Sequence, residues 1–362
     1  MTPYHRLARD SPDFAHWRLP VAAVLGVVSY GVISVVLVIV AMIVLLASGT
    51  DVDRWLDSAG TDIALDSPGT LLFQLGTIAA LIPCVLLPVA LVWRRHVGYL
   101  HSVQGYLRWR WLGHCVALAF LVVGVTLGLS VLAAALAGDD SLELEPLGGR
   151  ALASLLVVLL VVPFQAAAEE YVFRGALMQL IGSWTRWAVV PVVVSSLLFA
   201  AGHVYDFWGL VSVFLFGVIA AVMTIRTGGL EAAIGLHIAN NVVLMVLDVV
   251  GLVDSSGDGS GLLDEVVPST LMCLVFWAIV EWCARRRGLQ RLRPPLPPLP
   301  ARVPAYLVVP PPPYVPAGTV PQAAMPAPQA AMPPTPEAPP APRAEVPPNA
   351  PSYPGDPGVW ER

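Results

Sequence analysis

The stretch LLVVLLVVPFQAAAEEYVFRGALMQL, residues 155–180, decides the fold of this chain. It is apolar over a length that can cross a bilayer, which takes about 20 residues. Yet it carries two adjacent carboxylates, Glu169 and Glu170, and the guanidinium of Arg174. Ionisable groups at membrane depth cost at least a few kcal/mol each, so they are rare and face the interior of a helix bundle. The stretch therefore predicts a membrane-spanning helix with a polar, protein-facing site.

Apolar runs of similar length recur through the first 285 of the 362 residues. The chain is 56% hydrophobic and 12% charged, against roughly a quarter charged in ordinary soluble domains. The fold class is therefore all-α, a polytopic transmembrane helical bundle of about eight helices. We place the eight segments at about 20–48, 70–93, 112–137, 151–180, 187–204, 208–226, 230–253 and 266–284.

Charge alternates between the connections of these segments. Arginine gathers before the first segment, in the second, fourth and sixth connections and after the eighth segment: Arg6, Arg9, Arg18, Arg94, Arg95, Arg108, Arg110, Arg186, Arg226 and five between 285 and 293. The other connections are mainly acidic. Arginine-rich loops favour the cytoplasmic side, so we predict an integral protein of a bacterial cell membrane with both termini in the cytoplasm.

The chain changes character from about residue 294. The last 69 residues hold 25 of the 35 prolines, and such a segment buries too little apolar surface to fold. We predict a disordered tail, in which PPLPPLP (294–300) fits proline-rich recognition by an unknown partner or a plain flexible tail. The predicted divisions are a cytoplasmic segment 1–19, accessory helices 20–148, a catalytic-type core 149–284 and a basic juxtamembrane segment with the tail, 285–362.

Glu169, Glu170 and Arg174 form the first polar cluster. On a helix, Glu170 and Arg174 stand at i and i+4, the spacing of an ion pair. Glu169 points about 100° away, so we expect Glu170 and Arg174 to be a structural pair and Glu169 to face elsewhere. The alternative is that both glutamates mark the cytoplasmic end of a helix that begins near residue 151.

Two further clusters lie on later segments. His203 ends PVVVSSLLFAAGH (191–203), with Phe199 one turn earlier, and His237 and Asn241 share a face of GLEAAIGLHIANNVVLMVL (229–247). Taken singly, each could be structural, because polar side chains also tie transmembrane helices together. Glu231, near the start of the segment that carries His237 and Asn241, is expected at the membrane interface.

Packing the three segments together would place two carboxylates, two imidazoles and an amide around one point. That combination favours hydrolytic chemistry inside the membrane. The sequence contains neither the His-Glu-x-x-His zinc motif nor the Gly-x-Ser-x-Gly nucleophile motif, so those two mechanisms are poorly supported.

With these residues in view, the chain resembles the CPBP family of intramembrane proteases, which comprises the type II CAAX prenyl endopeptidases and bacterial bacteriocin-processing or immunity relatives. The family blocks Glu-Glu-x-x-x-Arg, Phe-x-x-x-His and His-x-x-x-Asn read here EEYVFR (169–174), FAAGH (199–203) and HIANN (237–241). All three occur in order, and the resemblance covers about residues 150–250.

The resemblance implies a CAAX-protease-like endopeptidase that acts on a membrane-associated peptide or protein, with no nucleic-acid partner. Its catalytic residues would be Glu169, as general base for a water together with His203, and His237 and Asn241, as donors to the oxyanion. Glu170 and Arg174 would support the geometry. The family is often described as metalloproteases, so a divalent metal such as zinc held by Glu169, His203 and His237 stays open.

Two questions remain open at the level of sequence. With straight, full-length helices, His203 would lie near the far end of its segment, away from Glu169 and His237, unless the fifth helix is short or the fourth is broken at Pro163. The alternative function is a non-catalytic immunity or scaffold protein, or a transporter that uses the same buried polar residues.

Overall fold

A computed structural model describes residues 1–11, 13–59, 63–138, 144, 147–253 and 261–294. The described chain is a bundle of α-helices, as predicted. The proline-rich segment from 295 onwards lies outside the described residues, so its predicted disorder stays a prediction.

Within the described ranges, seven helices are long and apolar enough to cross a membrane: Arg18–Ser48, Pro68–Trp93, Trp109–Ala137, Gly149–Trp184, Phe207–Thr227, Glu231–Val249 and Leu262–Arg286. They match seven of the eight predicted segments to within a few residues, so the chain is an integral membrane protein. The remaining predicted segment forms the shorter apolar helix Val189–Ala200.

Several of these spans are built from more than one element. In chain order the α-helices are α1 (Arg18–Ser48), α2 (Val52–Ala59), α3 (Pro68–Ala79), α4 (Leu81–Trp93), α5 (Val97–His101), α6 (Trp109–Ala137), α7 (Gly149–Glu170), α8 (Met178–Trp184), α9 (Val189–Ala200), α10 (Phe207–Thr227), α11 (Glu231–Val249) and α12 (Val267–Arg286). One turn of π-helix, Tyr171–Leu177, joins α7 to α8, and another, Leu262–Val266, leads into α12. A 3₁₀-helix, Tyr4–Asp10, precedes α1.

Helix α11 lies at the centre of the bundle between α6 and α7. Ala232, Leu236 and Ala239 pack in one apolar cluster with α6 and α12, and Ile234 and Ile238 in a second cluster with α7. A helix that is apolar on all sides belongs in a core rather than at a surface. The helix that carries His237 and Asn241 is therefore enclosed by protein.

Helix α1 contacts α4 at the turn where Pro88 leaves a backbone carbonyl without its helical hydrogen bond. Pro88 has no N–H, so the carbonyl of Cys84, four residues earlier, loses its partner within α4. A Cβ on Gly26 of α1 would lie 2.8 Å from that carbonyl oxygen. Only glycine allows the two backbones to approach so closely at this position.

The two ends of the described bundle meet. Thr2 and Arg293 exchange two backbone hydrogen bonds of 2.9 Å each, and the 3₁₀-helix Tyr4–Asp10 packs on α8. A Cβ on Gly182 of α8 would lie 1.9 Å from the His5 carbonyl oxygen, so glycine is required there too. The segments before α1 and after α12 therefore share one side of the bundle.

Candidate active site

The predicted carboxylates stand where α7 changes its winding. Glu169 and Glu170 are the last residues of α7, and the π-helix begins at Tyr171. Single π-turns inside α-helices are rare and frequently mark functional sites. The Tyr171 hydroxyl is hydrogen-bonded to His101 Nδ1 at 2.5 Å, which ties the π-helix to α5.

Glu170 is the junction of a buried charged network. Arg174 Nη1 donates to Glu170 Oε1 at 2.8 Å, and both side chains are fully buried. His237 Nδ1 donates to the same oxygen, also at 2.8 Å. The i, i+4 pairing expected from the sequence is present, and Glu170 in addition orients the imidazole on α11.

Glu169 faces the other nitrogen of the same imidazole. Its Oε2 lies 3.4 Å from His237 Nε2, and its side chain is 12% exposed. This oxygen is buried and has no hydrogen-bond partner among the described residues. Glu170 Oε2 is also buried without a partner, so what distinguishes Glu169 is its partial exposure, 12% against 0% for Glu170, which leaves its side chain accessible to a ligand or a water. The two adjacent glutamates thus have different surroundings.

His203 reaches the level of Glu169 because α9 is short. At 1.5 Å per residue, its 12 residues span about 18 Å, well short of the about 30 Å of a hydrocarbon core. Glu169 lies 15 residues before the end of α8 at Trp184, about 22 Å on the same scale. Since α8 and α9 are joined by four residues, 185–188, the two positions have similar depths. His203 is therefore not displaced from Glu169 and His237, as it would be if α9 were a full-length membrane helix.

Phe199 connects His203 to the charged network. Its ring centroid lies 4.8 Å from that of His203 and 5.8 Å from that of His237, and the Arg174 guanidinium lies 4.2 Å above its face. Phe216 of α10 also contacts the His237 ring, with centroids 5.2 Å apart. An aromatic ring that touches two imidazoles and one guanidinium fixes their relative positions.

The protonation of His203 follows from its backbone contact. Its Nδ1 lies 2.9 Å from the Phe199 carbonyl oxygen. Because a carbonyl can only accept, Nδ1 carries the proton. In the neutral ring Nε2 is then an acceptor.

Asn241 stands one turn above His237 and contacts a residue that the sequence analysis did not single out. Its Nδ2 donates to Gln165 Oε1 at 3.2 Å, and its Oδ1 accepts from Asn240 Nδ2 at 3.2 Å. Gln165 is 4% exposed and lies four residues before Glu169. The sequence signal that could have identified Gln165 is an amide side chain four residues before a glutamate, within an apolar run.

A second residue outside the predicted set anchors α11. Glu231, expected at the membrane interface, is fully buried within the protein and paired with Arg108, with an Nη2 to Oε2 distance of 2.6 Å. The Arg108 backbone N–H and Nε both donate to Oε1, and Nη1 donates to the Thr227 and Gln290 carbonyls. This pair fixes the end of the helix from which His237 projects.

The expected metal ligands do not form one ligand set. A catalytic zinc ion takes three protein ligands, and the described residues hold no group of three His, Cys, Asp or Glu side chains placed to share an ion. Both imidazoles use Nδ1 for their contacts, His237 with Glu170 and His203 with backbone, an arrangement that also occurs in histidine metal ligands. Because the described residues form no three-ligand set, we derive no step through a metal.

The region that carries these residues is similar to a known protein family. A family model described as "Type II CAAX prenyl endopeptidase Rce1-like" matches residues 151–243, a range that contains all six residues predicted for the site. The chain is 28% identical over 172 residues to the "Uncharacterized protein YyaK" of Bacillus subtilis (strain 168), a match that covers 45% of this chain and 56% of the relative. It is 32% identical over 184 residues to the "Uncharacterized 24.3 kDa protein" of Escherichia coli, covering 46% of this chain and 76% of the relative. No solved structure matches the chain.

Proposed function

Because the chain belongs to the type II CAAX prenyl endopeptidase Rce1-like family, we propose that it is an intramembrane endopeptidase that cuts a membrane-associated peptide or protein. The observation that carries this proposal is the Glu169 carboxylate. Its Oε2 is buried, lacks a hydrogen-bond partner within the described chain and lies 3.4 Å from His237 Nε2. Glu170, in contrast, is fully buried and accepts two hydrogen bonds at its Oε1.

Glu169 acts as the general base. It takes one proton from a water whose oxygen attacks the carbonyl carbon of the substrate, and His203 Nε2 accepts a hydrogen bond from the same water and orients it. The C–O bond forms as the carbonyl oxygen becomes an oxyanion. Glu169 then returns the proton to the leaving nitrogen as the C–N bond breaks, which gives one carboxyl product and one amine product.

His237 and Asn241 stabilise the oxyanion from α11. They stand one turn apart on one helical face. Asn241 has a second Nδ2 proton beside the one given to Gln165, and His237 donates from Nε2 in its doubly protonated form, because its Nδ1 proton is bound by Glu170. Donors of this kind typically contribute about 3 kcal/mol each. Glu170 and Arg174 hold the His237 ring and the π-turn in place, a supporting role.

The substrate reaches the site from the bilayer. The family description points to a prenylated C-terminal peptide, and an unmodified membrane protein is the alternative that the experiment separates. We also propose that the shared side of the bundle that holds Thr2 and Arg293 faces the cytoplasm of a bacterial cell, since arginines gather there.

The test is a comparison of membrane protein N-termini and C-termini from cells that express the wild type, Glu169→Gln and Glu281→Gln. Glu281 is a matched control because it binds three arginines, Arg226, Arg285 and Arg291, at the edge of α12. We expect a set of new N-termini or C-termini with the wild type and Glu281→Gln that is absent with Glu169→Gln at equal expression. The same termini in all three strains would overturn the proposal.

The cleavage sites found in this way identify the substrate class. Sites three residues before the C-terminus, next to a prenylated cysteine, indicate a CAAX protein, whereas internal sites indicate a membrane-protein client. Metal analysis of the purified protein tests independently whether Glu169, His203 and His237 hold a divalent metal.

A further inference from the structure

Gln165 lies opposite Asn241 in the same way that Glu169 lies opposite His237. On α7, Gln165 and Glu169 are one turn apart, and on α11 His237 and Asn241 are one turn apart. The contacts pair Glu169 with His237 and Gln165 with Asn241. Two successive turns of α7 therefore present one polar side chain each to the two proposed oxyanion donors.

The orientation of the Asn241 carboxamide decides whether it can assist the reaction. A primary amide has a donating end and an accepting end, and turned over it would present its oxygen to the developing negative charge. In the structure Oδ1 is occupied by the Asn240 donor and one Nδ2 proton by Gln165 Oε1. The second Nδ2 proton is left for the site.

Gln165 is the partner that accepts from Asn241 Nδ2 across the helix interface, and this contact fits the orientation shown. It is 4% exposed and stands among Pro163, Phe164 and three alanines, where an unpaired amide would be costly. Asn240 lies beside Asn241 on the same helix, so its hydrogen bond does not link Asn241 to α7. The contact from Gln165 couples the donor on α11 to the helix that carries the base.

We propose that Gln165 is a positioning residue that fixes the Asn241 carboxamide with its N–H towards the oxyanion. The inference rests on the proposed endopeptidase function. Gln165 itself touches no reacting atom; it acts through Asn241, and its loss lowers the rate of the chemical step rather than the affinity for substrate.

The test uses Gln165→Met, which keeps the length of the side chain and removes the acceptor. The probe is an internally quenched, farnesylated peptide with a C-terminal CAAX sequence, in proteoliposomes of phosphatidylglycerol and phosphatidylethanolamine. The N-termini and C-termini of membrane proteins from cells are the second readout. We expect kcat to fall about 10-fold, the effect typical of a residue that orients another, with KM changed less than about 2-fold because the substrate is not contacted. Gln179→Met is the matched control: it removes another buried glutamine from the same span, bonded to His96 and the Tyr99 carbonyl, and should leave kcat unchanged.

The double variant separates positioning from packing. If Gln165 acts through Asn241, then Gln165→Met in an Asn241→Ala background costs no further activity, because the effects of residues that act as a unit are not additive. If Gln165 has only a structural role, Gln165→Met lowers kcat by the same factor in the wild-type and Asn241→Ala backgrounds. That result would overturn the inference. Gln165→Glu, which keeps an acceptor for the Asn241 N–H, should have a higher kcat than Gln165→Met, and an equal or lower value would also overturn it.

The outcomes distinguish this inference from the proposed function. A wild type that cleaves neither the probe nor any membrane protein in a Glu169-dependent way overturns the function, and the role of Gln165 with it. A wild type that cleaves while Gln165→Met retains the full kcat overturns only the role of Gln165.

Discussion

Arg108 and Glu231 form a bidentate ion pair at the end of α11 that lies within two turns of His237. The Arg108 Nε to Glu231 Oε1 distance is 2.8 Å and the Nη2 to Oε2 distance is 2.6 Å. The two side chains are 6% and 0% exposed. The pair joins the connection before α6 to the start of α11, and Nη1 also binds the carbonyl of Gln290 after α12.

Arg108→Met should destabilise the protein strongly. Removal of one partner from a buried ion pair leaves an uncompensated charge and costs about 3–5 kcal/mol of unfolding free energy. The measurement is unfolding in detergent. Arg285→Met is the control, because that residue is 64% exposed in its pair with Glu281 and such pairs contribute about 0–1 kcal/mol. The double variant Arg108→Met with Glu231→Met should recover much of the loss, and equal effects of the two single arginine variants would contradict the account.

Glu169→Gln and Glu170→Gln should separate activity from stability. Glu170→Gln weakens the only carboxylate bonded to the fully buried Arg174 in the described chain and should cost about 3 kcal/mol or more. Glu169→Gln breaks no hydrogen bond of Oε2 and should change the unfolding free energy by less than about 1 kcal/mol, while cleavage is lost. The check is unfolding in detergent beside cleavage on the same preparations. A large stability loss in Glu169→Gln would show that this carboxylate is structural.

The parts of this site that could be predicted from sequence are those fixed by local spacing. Glu170 and Arg174 are four residues apart, so helix geometry alone brings them together, and the seven long spans follow from apolar length. The depth of His203 depends on where α9 ends, which tertiary packing decides. The partners Arg108 and Gln165 depend on which helices become neighbours: 123 residues separate Arg108 from Glu231, and 76 separate Gln165 from Asn241. No periodicity encodes those pairings.

Phe199→Leu should reduce activity more than its stability cost implies. The ring carries the Arg174 guanidinium on its face at 4.2 Å, an interaction worth about 2 kcal/mol when desolvated. It also contacts both imidazoles, so its loss lets them shift, and misplacement by about 1 Å can cost up to about 100-fold in rate. Phe164→Leu on α7 is the matched control, because that ring is 60% exposed. Equal rates for the two variants, measured with the wild type's own substrate, would contradict the role of Phe199.

Gly26→Ala and Gly31→Ala should act in opposite directions on the same helix. A Cβ at Gly26 would lie 2.8 Å from the Cys84 carbonyl oxygen, whereas one at Gly31 meets nothing within 4 Å. Gly26→Ala should therefore separate α1 from α4 and cost about 1–3 kcal/mol. Gly31→Ala should be neutral or stabilise by up to about 1 kcal/mol, because alanine is the better helix former. Thermal unfolding of both variants is the measurement, and a Gly26→Ala variant as stable as Gly31→Ala would rule out the close approach.

Acidification should destabilise the protein through His96, which lies outside the spans in the turn after α4. The ring is 1% exposed, stacks on Trp93 with centroids 4.4 Å apart and is bonded to Gln179 Oε1 at 2.9 Å. Burial lowers the pKa of His96 from 6.5 to about 4, against the bond to Gln179, which raises it. The unfolded chain therefore takes up the proton first as the pH falls. Stability is complete above about pH 6.5 and is lost between pH 6.5 and 4, by up to about 3 kcal/mol in all.

His5 adds to this loss in the same direction, because burial lowers its pKa to about 4 as well. His96→Phe keeps a ring against Trp93 and removes the titrating group. The variant should be less stable than the wild type at pH 7, where the bond to Gln179 is missed, and this difference should shrink at pH 5, where the wild type carries the cost of charging His96. Unfolding midpoints in detergent at the two pH values measure the effect. A difference that stays constant between pH 7 and pH 5 would mean that His96 is not held neutral by burial, and the loss at low pH would then have to come from His5 or the acidic groups.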